Sequence, residues 1–408
     1  MQKRQGFSRR QSLQGLDFLN VFLADIQGGV GPFLVIYLTS TLHWHPEQVG
    51  ILMTIPGIVG VLAQTPTGAL IDRVQGKRML VVFAALLIAI SAVILVLTPT
   101  FPVVAATQSV TAIAGAIFGP TIAAISLGLV GREKMDRRIG RNLTFSSAGN
   151  VIAALLAGLI GQFIGLPAIF YFIALMSVAV IVSVLRINDA DINYTLSRGG
   201  DDGDRAKPHV SKATTLLSDR RILIFAFCAV LFHFANASML PLVGEELAKK
   251  GSNPSLYLSA CIIMAQVVQI PLGILIGRWA SLTKRKPIYL IAFAVLPIRG
   301  LLYTVSNNPF FLVSVQLLDG VGGGIFGVMQ LLVIADLTKG TGRFNLLQGT
   351  LGTAVGIGAS SSNLLAGYIV QHAGYNAGFF SMAAIAVVAL AVFWFAMPET
   401  KPPSEELK

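Results

Sequence analysis

The sequence predicts an all-α membrane protein with twelve transmembrane helices arranged as two pseudo-symmetric six-helix bundles. Composition, a series of long apolar windows and an internal repeat indicate this fold class. Of the 408 residues, 54% are hydrophobic and only 12% are charged, whereas soluble proteins carry roughly 25% charged residues. With a mean hydropathy of +0.73, the chain is neither an ordinary soluble globule nor a disordered chain, which requires low hydrophobicity and high charge.

Apolar windows of membrane-spanning length follow one another along the chain. A helix needs roughly 20 mostly apolar residues to cross the hydrocarbon core of a bilayer. The first window carries Asp17 and Asp25 and has no small-residue cleavage site after it, which predicts a span rather than a cleaved signal peptide. None of the windows shows the alternation of barrel strands. We place the twelve spans near residues 14–40, 47–71, 78–98, 102–129, 142–164, 167–186, 221–243, 255–277, 287–306, 309–335, 344–370 and 376–397.

Lysine and arginine residues indicate how these spans are oriented. Cytoplasmic loops carry the excess of positive charge, and an N-terminus placed inside puts nearly all basic residues of this chain on the cytoplasmic side. Lys249 and Lys250 are then outside, and Arg299 lies within a span. Membrane topology therefore explains the net charge of +11 better than a nucleic acid-binding patch does. We expect a multi-pass protein of a bacterial inner membrane with both termini cytoplasmic.

One long polar stretch, from Asn188 to Arg220, separates six spans from the other six. It is rich in aspartate and glycine, and such a composition cannot bury a core. We therefore predict a solvated cytoplasmic linker without chemistry of its own. The expected domains are an N-terminal bundle at residues 1–187, the linker at 188–220 and a C-terminal bundle at 221–408.

The two halves repeat each other in sequence. Residues 64–73 read QTPTGALIDR and residues 269–278 read QIPLGILIGR, so that six of ten positions are identical at an offset of 205. Residues 115–119, GAIFG, match residues 323–327, GGIFG, at an offset of 208. At an offset of 209, the matching positions are Gly149/Gly358, Ala157/Ala366, Gly158/Gly367, Gln162/Gln371, Gly165/Gly374, Ala168/Ala377 and Phe170/Phe379. Three matches at nearly one offset predict parallel repeats of six spans each, as in transporters that enclose a midplane site.

The first of these repeated segments carries a family resemblance. Gly68-Ala-Leu-Ile-Asp72-Arg73-Val-Gln-Gly76-Lys77-Arg78 resembles the signature of the major facilitator superfamily between its second and third spans, and residues 397–401, MPETK, resemble the common end of that family. The signature departs from the family pattern, since two residues rather than one separate Arg73 from Gly76. The resemblance implies secondary active transport by alternating access. It also implies a conformational latch, in which the Asp72 carboxylate pairs with nearby basic residues and with the start of the eleventh helix. The predicted latch residues are Gly68, Asp72, Arg73, Gly76, Lys77 and Arg78.

Ionisable residues inside spans are candidate functional groups, because burying them is costly unless they are paired or hydrated. Asp25 lies near mid-depth in the first span, and the family resemblance implies that an acid there serves proton coupling. Asp319 and Arg299 lie at similar depth, either as a structural ion pair or as a coupling element. His233 is a further proton-coupling candidate. Other candidate residues of the substrate cavity, besides Arg299, are Gln27, Gln108, Asn236 and Gln316.

Nothing in the sequence indicates an enzyme. There is no GxxxxGKS motif for nucleotide binding, and the glycine-rich run Gly320–Gly324 lies inside a span, where it suggests helix packing. The two cysteines and five histidines are too dispersed for a metal site. We therefore expect no cofactor and no metal.

The expected function is the transport of a small molecule, with proton-coupled export of amphipathic compounds favoured. Sparse polar groups among many apolar and aromatic residues suit such ligands. A carrier of an anionic metabolite, such as an organic acid or a polycarboxylate siderophore, is the alternative, and it requires Arg299 to be free of Asp319. A membrane sensor or lipid scramblase is a more remote alternative, since a 33-residue central segment offers no output domain. The expected partners are the substrate, protons and the lipid bilayer, without nucleic acid, and the chain is expected to be a monomer.

Overall fold

The computed structural model describes residues 2–28, 34, 37–44, 46–200, 218–249 and 254–401. The secondary structure in this part of the chain is helical, with no strand. Three short 3₁₀ turns and one π turn at Tyr37–Thr41 connect the longer helices. The α-helices are α1 (Gln2–Gly28), α2 (Pro46–Arg73), α3 (Lys77–Leu97), α4 (Phe101–Val130), α5 (Met135–Phe163), α6 (Leu166–Leu185), α7 (Arg220–Asn236), α8 (Met239–Lys249), α9 (Pro254–Leu282), α10 (Arg285–Leu302), α11 (Pro309–Leu337) and α12 (Phe344–Ala396).

Within the described ranges, nine helices are long and apolar enough to cross a membrane. The all-helical prediction is confirmed, while the count of twelve crossings and the cytoplasmic placement of both termini stay predictions. Three differences explain the lower count. The first predicted span includes residues outside the described part. Helix α10 has 18 residues, but three of them are the basic residues Arg285, Lys286 and Arg299. The last two predicted spans meet at a kink and are counted together as the 53-residue element α12.

Element α12 consists of two helices that meet at one residue. Gly374 has φ 83° and ψ 173°, which interrupts the helix between the predicted spans 344–370 and 376–397. Its partner in the sequence repeat, Gly165, has φ 122° and separates α5 from α6. Glycine adopts these positive φ values without the steric cost of a Cβ atom. The repeat seen in the sequence is therefore present in the backbone as well.

The first compact unit comprises residues 1–135, 145–209 and 342–349. In it, α4 packs against α2 and α3, and α6 packs against α1 and α3. Buried aliphatic and aromatic side chains such as Leu19, Val81 and Phe118 form one continuous core. Because a helix in lipid must satisfy its own backbone, this side-chain packing rather than loop structure holds the unit together.

The second compact unit comprises residues 136–144, 210–341 and 350–408. Here α11 packs against α9 and α10. The helices approach closely at Gly320, where a Cβ atom would lie 2.5 Å from the Ala265 carbonyl oxygen. A cluster of stacked and edge-on rings fills the interior of this unit, and it includes Phe232, Tyr289, Phe293, Phe326 and Phe393.

Residues 188–200, which we call the strap, differ from the solvated linker that the sequence predicts. Two 3₁₀ turns, Asp189–Asp191 and Leu196–Arg198, lie within it, and Leu196 and Ser197 are buried. The strap packs on the end of α4, where the Asn193 N–H donates to the Gly128 carbonyl oxygen over 3.0 Å. Polar composition indicated solvation, but hydrogen bonds to neighbouring helices hold this part of the segment in place.

Candidate functional site

Three of the sequence-predicted residues meet in a buried polar cluster of the second unit. The Arg299 guanidinium is paired with the Asp319 carboxylate through Nη1, and the same nitrogen donates to Asn236 Oδ1 over 2.8 Å. Arg299 lies on α10, Asp319 on α11 and Asn236 on α7. The structure therefore answers the question left open by the sequence, because Arg299 and Asp319 form an ion pair. We call Asn236, Arg299 and Asp319 the ion-pair cluster.

The members of the ion-pair cluster differ in burial. The Arg299 side chain is 2% exposed, whereas that of Asp319 is 24% exposed. A guanidinium stays charged in proteins, so Arg299 needs a nearby anion or acceptor. The Asp319 carboxylate is the more accessible member of the pair. The Arg299 guanidinium also lies 5.7 Å from the centre of the Tyr303 ring, within the range of a cation–π contact.

Gln316 is one turn away from Asp319 on α11 and is fully buried. Its side-chain amide lies beside the Cys261 thiol, and the Tyr303 hydroxyl lies beside the Arg299 guanidinium. Buried polar atoms without partners are rare and costly. This region is therefore a polar part of the second unit's interior, in which the buried groups face one another.

The remaining predicted residues lie apart from the ion-pair cluster or outside the described side chains. His233 Nδ1 lies 3.2 Å from the Ala229 carbonyl oxygen, and its ring packs edge-on against Phe326 at 4.8 Å. Gln108 is half-buried on α4, in the first unit. Asp25 and Gln27 lie on α1, but their side chains fall outside the described part, so their roles stay predictions.

The first unit contains the contact that the signature motif predicts. The Asp72 carboxylate accepts hydrogen bonds from the Asn345 N–H (3.1 Å), Asn345 Nδ2 (2.8 Å) and the Leu346 N–H (2.8 Å). The first backbone N–H groups of a helix lack intrahelical partners and carry partial positive charge. Asp72, at the end of α2, therefore caps the N-terminus of α12. We call Asp72, Asn345 and Leu346 the Asp72 contact.

Glycine makes the approach of the two backbones possible. A Cβ atom on Gly68 would lie 2.1 Å from the Asn345 carbonyl oxygen, and one on Gly349 would lie 2.2 Å from that of Gln64. Both distances are far below any contact that a methyl group could make. The glycine of the signature is therefore explained by this crossing of α2 and the start of α12.

The other signature residues surround the Asp72 contact without joining it. Lys77 is fully buried, and its ammonium group donates to the Ile71 carbonyl oxygen over 2.6 Å, which satisfies a carbonyl in the last turn of α2. Gly76 precedes α3 with an ordinary φ of −75°. Arg73 is exposed, and Arg78 donates to the Leu185 carbonyl oxygen over 3.2 Å and lies 3.9 Å from Asp189.

The second unit contains an ion network that the sequence analysis did not identify. Arg285 forms a bidentate contact with Asp136, both distances being 2.9 Å, and its Nε donates to Asp336 over 2.9 Å. The backbone N–H groups of Arg285 and Lys286 donate to the Glu399 carboxylate. Burial raises the pKa of Glu399, but the backbone N–H groups around it lower the pKa further, so the net value lies below the usual range.

A signal for this network was present in the sequence. Asp136 and Asn345 are 209 residues apart, the same spacing that relates Gly149 to Gly358. Asp136 lies at the start of α5 and Asn345 at the start of α12, and the repeat relates these two helices. Each of them crosses another helix at glycines. In α5, a Cβ atom on Gly140 would lie 2.0 Å from the carbonyl oxygen of Gly273. Extending the repeat to these positions would have pointed to Asp136 as the counterpart of Asn345.

Long apolar helices in a repeated arrangement are typical of membrane carriers. Among the described residues, no group of three His, Cys, Asp or Glu side chains is placed to hold a metal ion. The model of the Major Facilitator Superfamily matches residues 16–295 and 222–408, and the chain belongs to this superfamily of secondary transporters. The resemblance identified from the signature motif is thereby confirmed.

Individual relatives agree with this assignment. The chain is 45% identical to an uncharacterized MFS-type transporter of Mycobacterium tuberculosis over 389 residues, which cover 95% of this chain and 93% of the relative. It is 25% identical to Sugar efflux transporter A of Dickeya chrysanthemi over 385 residues, 91% of this chain and 93% of the relative. Among solved structures, the proton:xylose symporter XylE superposes with a TM-score of 0.74 at 13% identity, covering 97% and 96% of the two chains.

Proposed function

We propose that this protein exports small amphipathic molecules across a bacterial inner membrane in exchange for protons, and that Asp319 carries the exchanged proton. The observation that supports this proposal is the ion-pair cluster in the interior of the second unit. It combines a permanently charged Arg299 with a carboxylate that is the more exposed partner. An ionisable group inside a span is expensive, and it is a functional candidate for that reason.

Protonation of Asp319 has a defined consequence. It removes the negative charge beside the guanidinium and leaves Arg299 with the neutral Asn236 amide oxygen as its acceptor. A buried charge that loses its counter-charge is destabilised by about 3–5 kcal/mol. The protonated chain therefore favours a conformation in which Arg299 is solvated or differently paired, and this difference couples the proton to the change of access.

Substrate class and direction are supported by separate observations. The similarity to an efflux transporter over nearly the whole chain supports export. The ion pair leaves Arg299 without the free positive charge that a carrier of anionic metabolites requires, which favours amphipathic compounds. The aromatic residues contribute less than the sequence suggested, because Phe225, Phe232 and Phe326 belong to the buried core and Phe227 is exposed on the outside of the unit.

The Asp72 contact supplies the second part of the proposal. Four groups meet there: the carboxylate, two backbone N–H groups and the Asn345 amide. We propose that this contact is a conformational latch at the cytoplasmic side, formed in one access state and broken in the other. The three hydrogen bonds to a charged acceptor can bias a two-state equilibrium without touching substrate.

The purified chain in liposomes, with a pH-sensitive dye inside, tests proton coupling. A proton gradient is imposed, and a panel of cationic amphiphiles and organic acids is then added. The proteins compared are the wild type, Asp319→Asn, Asp25→Asn and the exposed control Asp189→Asn. We expect cationic amphiphiles to drive proton movement, and Asp319→Asn to abolish it while labelled substrate still exchanges across the membrane. A signal from organic acids alone contradicts the substrate class.

A second variant separates loss of coupling from loss of folding. Asp319→Asn leaves Arg299 buried without its counter-charge, whereas the double variant Arg299→Gln/Asp319→Asn removes both charges. We expect the double variant to fold, to exchange labelled substrate and to move no protons. Proton movement that survives in the double variant but disappears in Asp25→Asn would transfer the coupling role to Asp25.

A further inference from the structure

We propose that Asn345 is a positioning residue through which the strap, residues 188–200, sets the strength of the Asp72 contact. The proposal rests on the latch role proposed above for that contact. The strap would then have a conformational function, although its sequence predicts only a solvated linker.

Asn345 joins the strap to the Asp72 contact through a single amide group. Its Nδ2 donates to Asp72 Oδ1 over 2.8 Å and to the Ser197 carbonyl oxygen over 3.2 Å. A primary amide has two N–H donors, so each of them has one acceptor, one in the Asp72 contact and one in the strap. Asn345 and Ser197 are both fully buried, so water does not easily replace either acceptor.

The strap is held against the first unit by contacts that are independent of Asp72. The Ser12 hydroxyl donates to Asp191 over 2.6 Å and accepts from the Asn188 N–H over 2.9 Å. Arg132 donates to the Gly199 carbonyl oxygen over 2.9 Å. These contacts fix the position of the Ser197 carbonyl, and the Ser197 carbonyl in turn fixes the orientation of the Asn345 amide.

Gly128 is the point at which the strap can be moved without altering Asp72 or Asn345. A Cβ atom there would lie 2.8 Å from Ile192 Cγ2, 3.0 Å from the Asn193 carbonyl oxygen and 3.2 Å from Ser197 Cβ. A larger side chain at Gly128 therefore displaces the strap together with the Ser197 carbonyl. Gly119 lies on the same helix, and a Cβ atom there would meet nothing within 4 Å.

When the strap is displaced, the Asn345 amide loses one of its two acceptors and becomes free to rotate away from Asp72. The backbone N–H groups of Asn345 and Leu346 still donate to the carboxylate. The Asp72 contact is then weakened by about one hydrogen bond rather than abolished. Loss of one hydrogen bond of this kind corresponds to roughly a tenfold change in an equilibrium constant.

The test measures the maleimide labelling rate of a reporter, Thr67→Cys, in the full chain with Cys228→Ala and Cys261→Ala. Thr67 is buried next to Gly68, the glycine of α2 that meets the Asn345 backbone. We expect its labelling rate to rise when the Asp72 contact opens, and the measurement requires neither substrate nor a proton gradient. The reporter is combined with Gly128→Val, Asn345→Ala, both together, Asp72→Asn, and Gly119→Val as the matched control.

We expect Gly128→Val and Asn345→Ala each to raise the labelling rate about tenfold, in chains whose helix content equals that of the control. The double variant should label no faster than either single variant, because both act through one amide. Labelling of Gly128→Val at the rate of Gly119→Val, or a roughly hundredfold increase in the double variant, overturns the role of Asn345. If Asp72→Asn leaves labelling unchanged, the latch proposal itself fails, which is a distinct result.

Discussion

Removal of the Arg285 side chain should destabilise this protein far more than removal of an equally close surface ion pair. The Arg285–Asp136 contact measures 2.9 Å with side chains that are 7% and 9% exposed. The Arg221–Asp219 contact also measures 2.9 Å, but its side chains are 55% and 29% exposed. The two pairs share distance and chemistry and differ in burial, so they form a matched comparison.

The expected magnitudes follow from this difference. Arg285→Met leaves two carboxylates, Asp136 and Asp336, buried without their shared cation, and breaking a buried pair in this way costs about 3–5 kcal/mol. Arg221→Met removes an exposed pair that contributes about 0–1 kcal/mol, because water screens it. The triple variant Asp136→Asn/Arg285→Met/Asp336→Asn carries no buried charge at these positions and should recover most of the loss.

Chemical unfolding of the purified chain in detergent micelles provides the assay, with helix content as the signal. The free energies of unfolding of Arg285→Met, Arg221→Met and the triple variant are compared with that of the wild type. If Arg285→Met is destabilised by no more than Arg221→Met, the ion network does not hold the ends of α5, α10 and α11 together. The assignment of Arg285 as a buried structural cation would then be wrong.

Three further predictions follow from the same structure. Gly68→Ala should impair transport at least tenfold in a liposome uptake assay, because its methyl group would collide with the backbone of α12. Gly57→Ala is the control on the same helix, since a Cβ atom there meets nothing within 4 Å, and it should transport normally. Asp72→Asn should shift the access equilibrium roughly tenfold or more, because three hydrogen bonds lose their charged acceptor. Spin-label distances measure this shift, and a distance distribution identical to that of the wild type would contradict it. Because the folded protein lowers the pKa of Glu399, ionised Glu399 stabilises the folded state at pH values above the ordinary glutamate pKa. This stabilisation is lost as the pH falls through the lowered pKa of the folded state. Glu399→Gln should therefore flatten the dependence of the melting temperature on pH below about pH 4.5, and an unchanged dependence would exclude the carboxylate as its source.

Much of the fold was predictable because membrane helices have strong local signals. Apolar length, positive charge in alternate connections and the matched segments at 64–73 and 269–278 indicated a repeated helical carrier, and the family match confirms that superfamily. Helix ends were less predictable. The break at Gly374 occurs where the sequence placed a connection, yet the helix continues on both sides of it.

Polar residues inside the spans could be listed from the sequence, but not their partners. Arg299 and Asp319 were noticed because they are rare among apolar residues, and their pairing depends on how α10 and α11 pack. Asp136, Arg285 and Asn345 were missed because they lie at span ends, where charge is common and carries little information. Their burial follows from tertiary contacts of high sequence separation.

The sequence by itself determined that this protein is a helical membrane carrier of repeated design, because hydropathy and repeat spacing depend on residues close together in the chain or at one fixed offset. Only the tertiary structure decided which polar groups are paired. It placed Asn345 between Asp72 and the strap, and Arg285 between two aspartates. Such pairs form because a buried charge or amide must find a partner, and the partner's identity depends on which helix ends the packed bundle brings together.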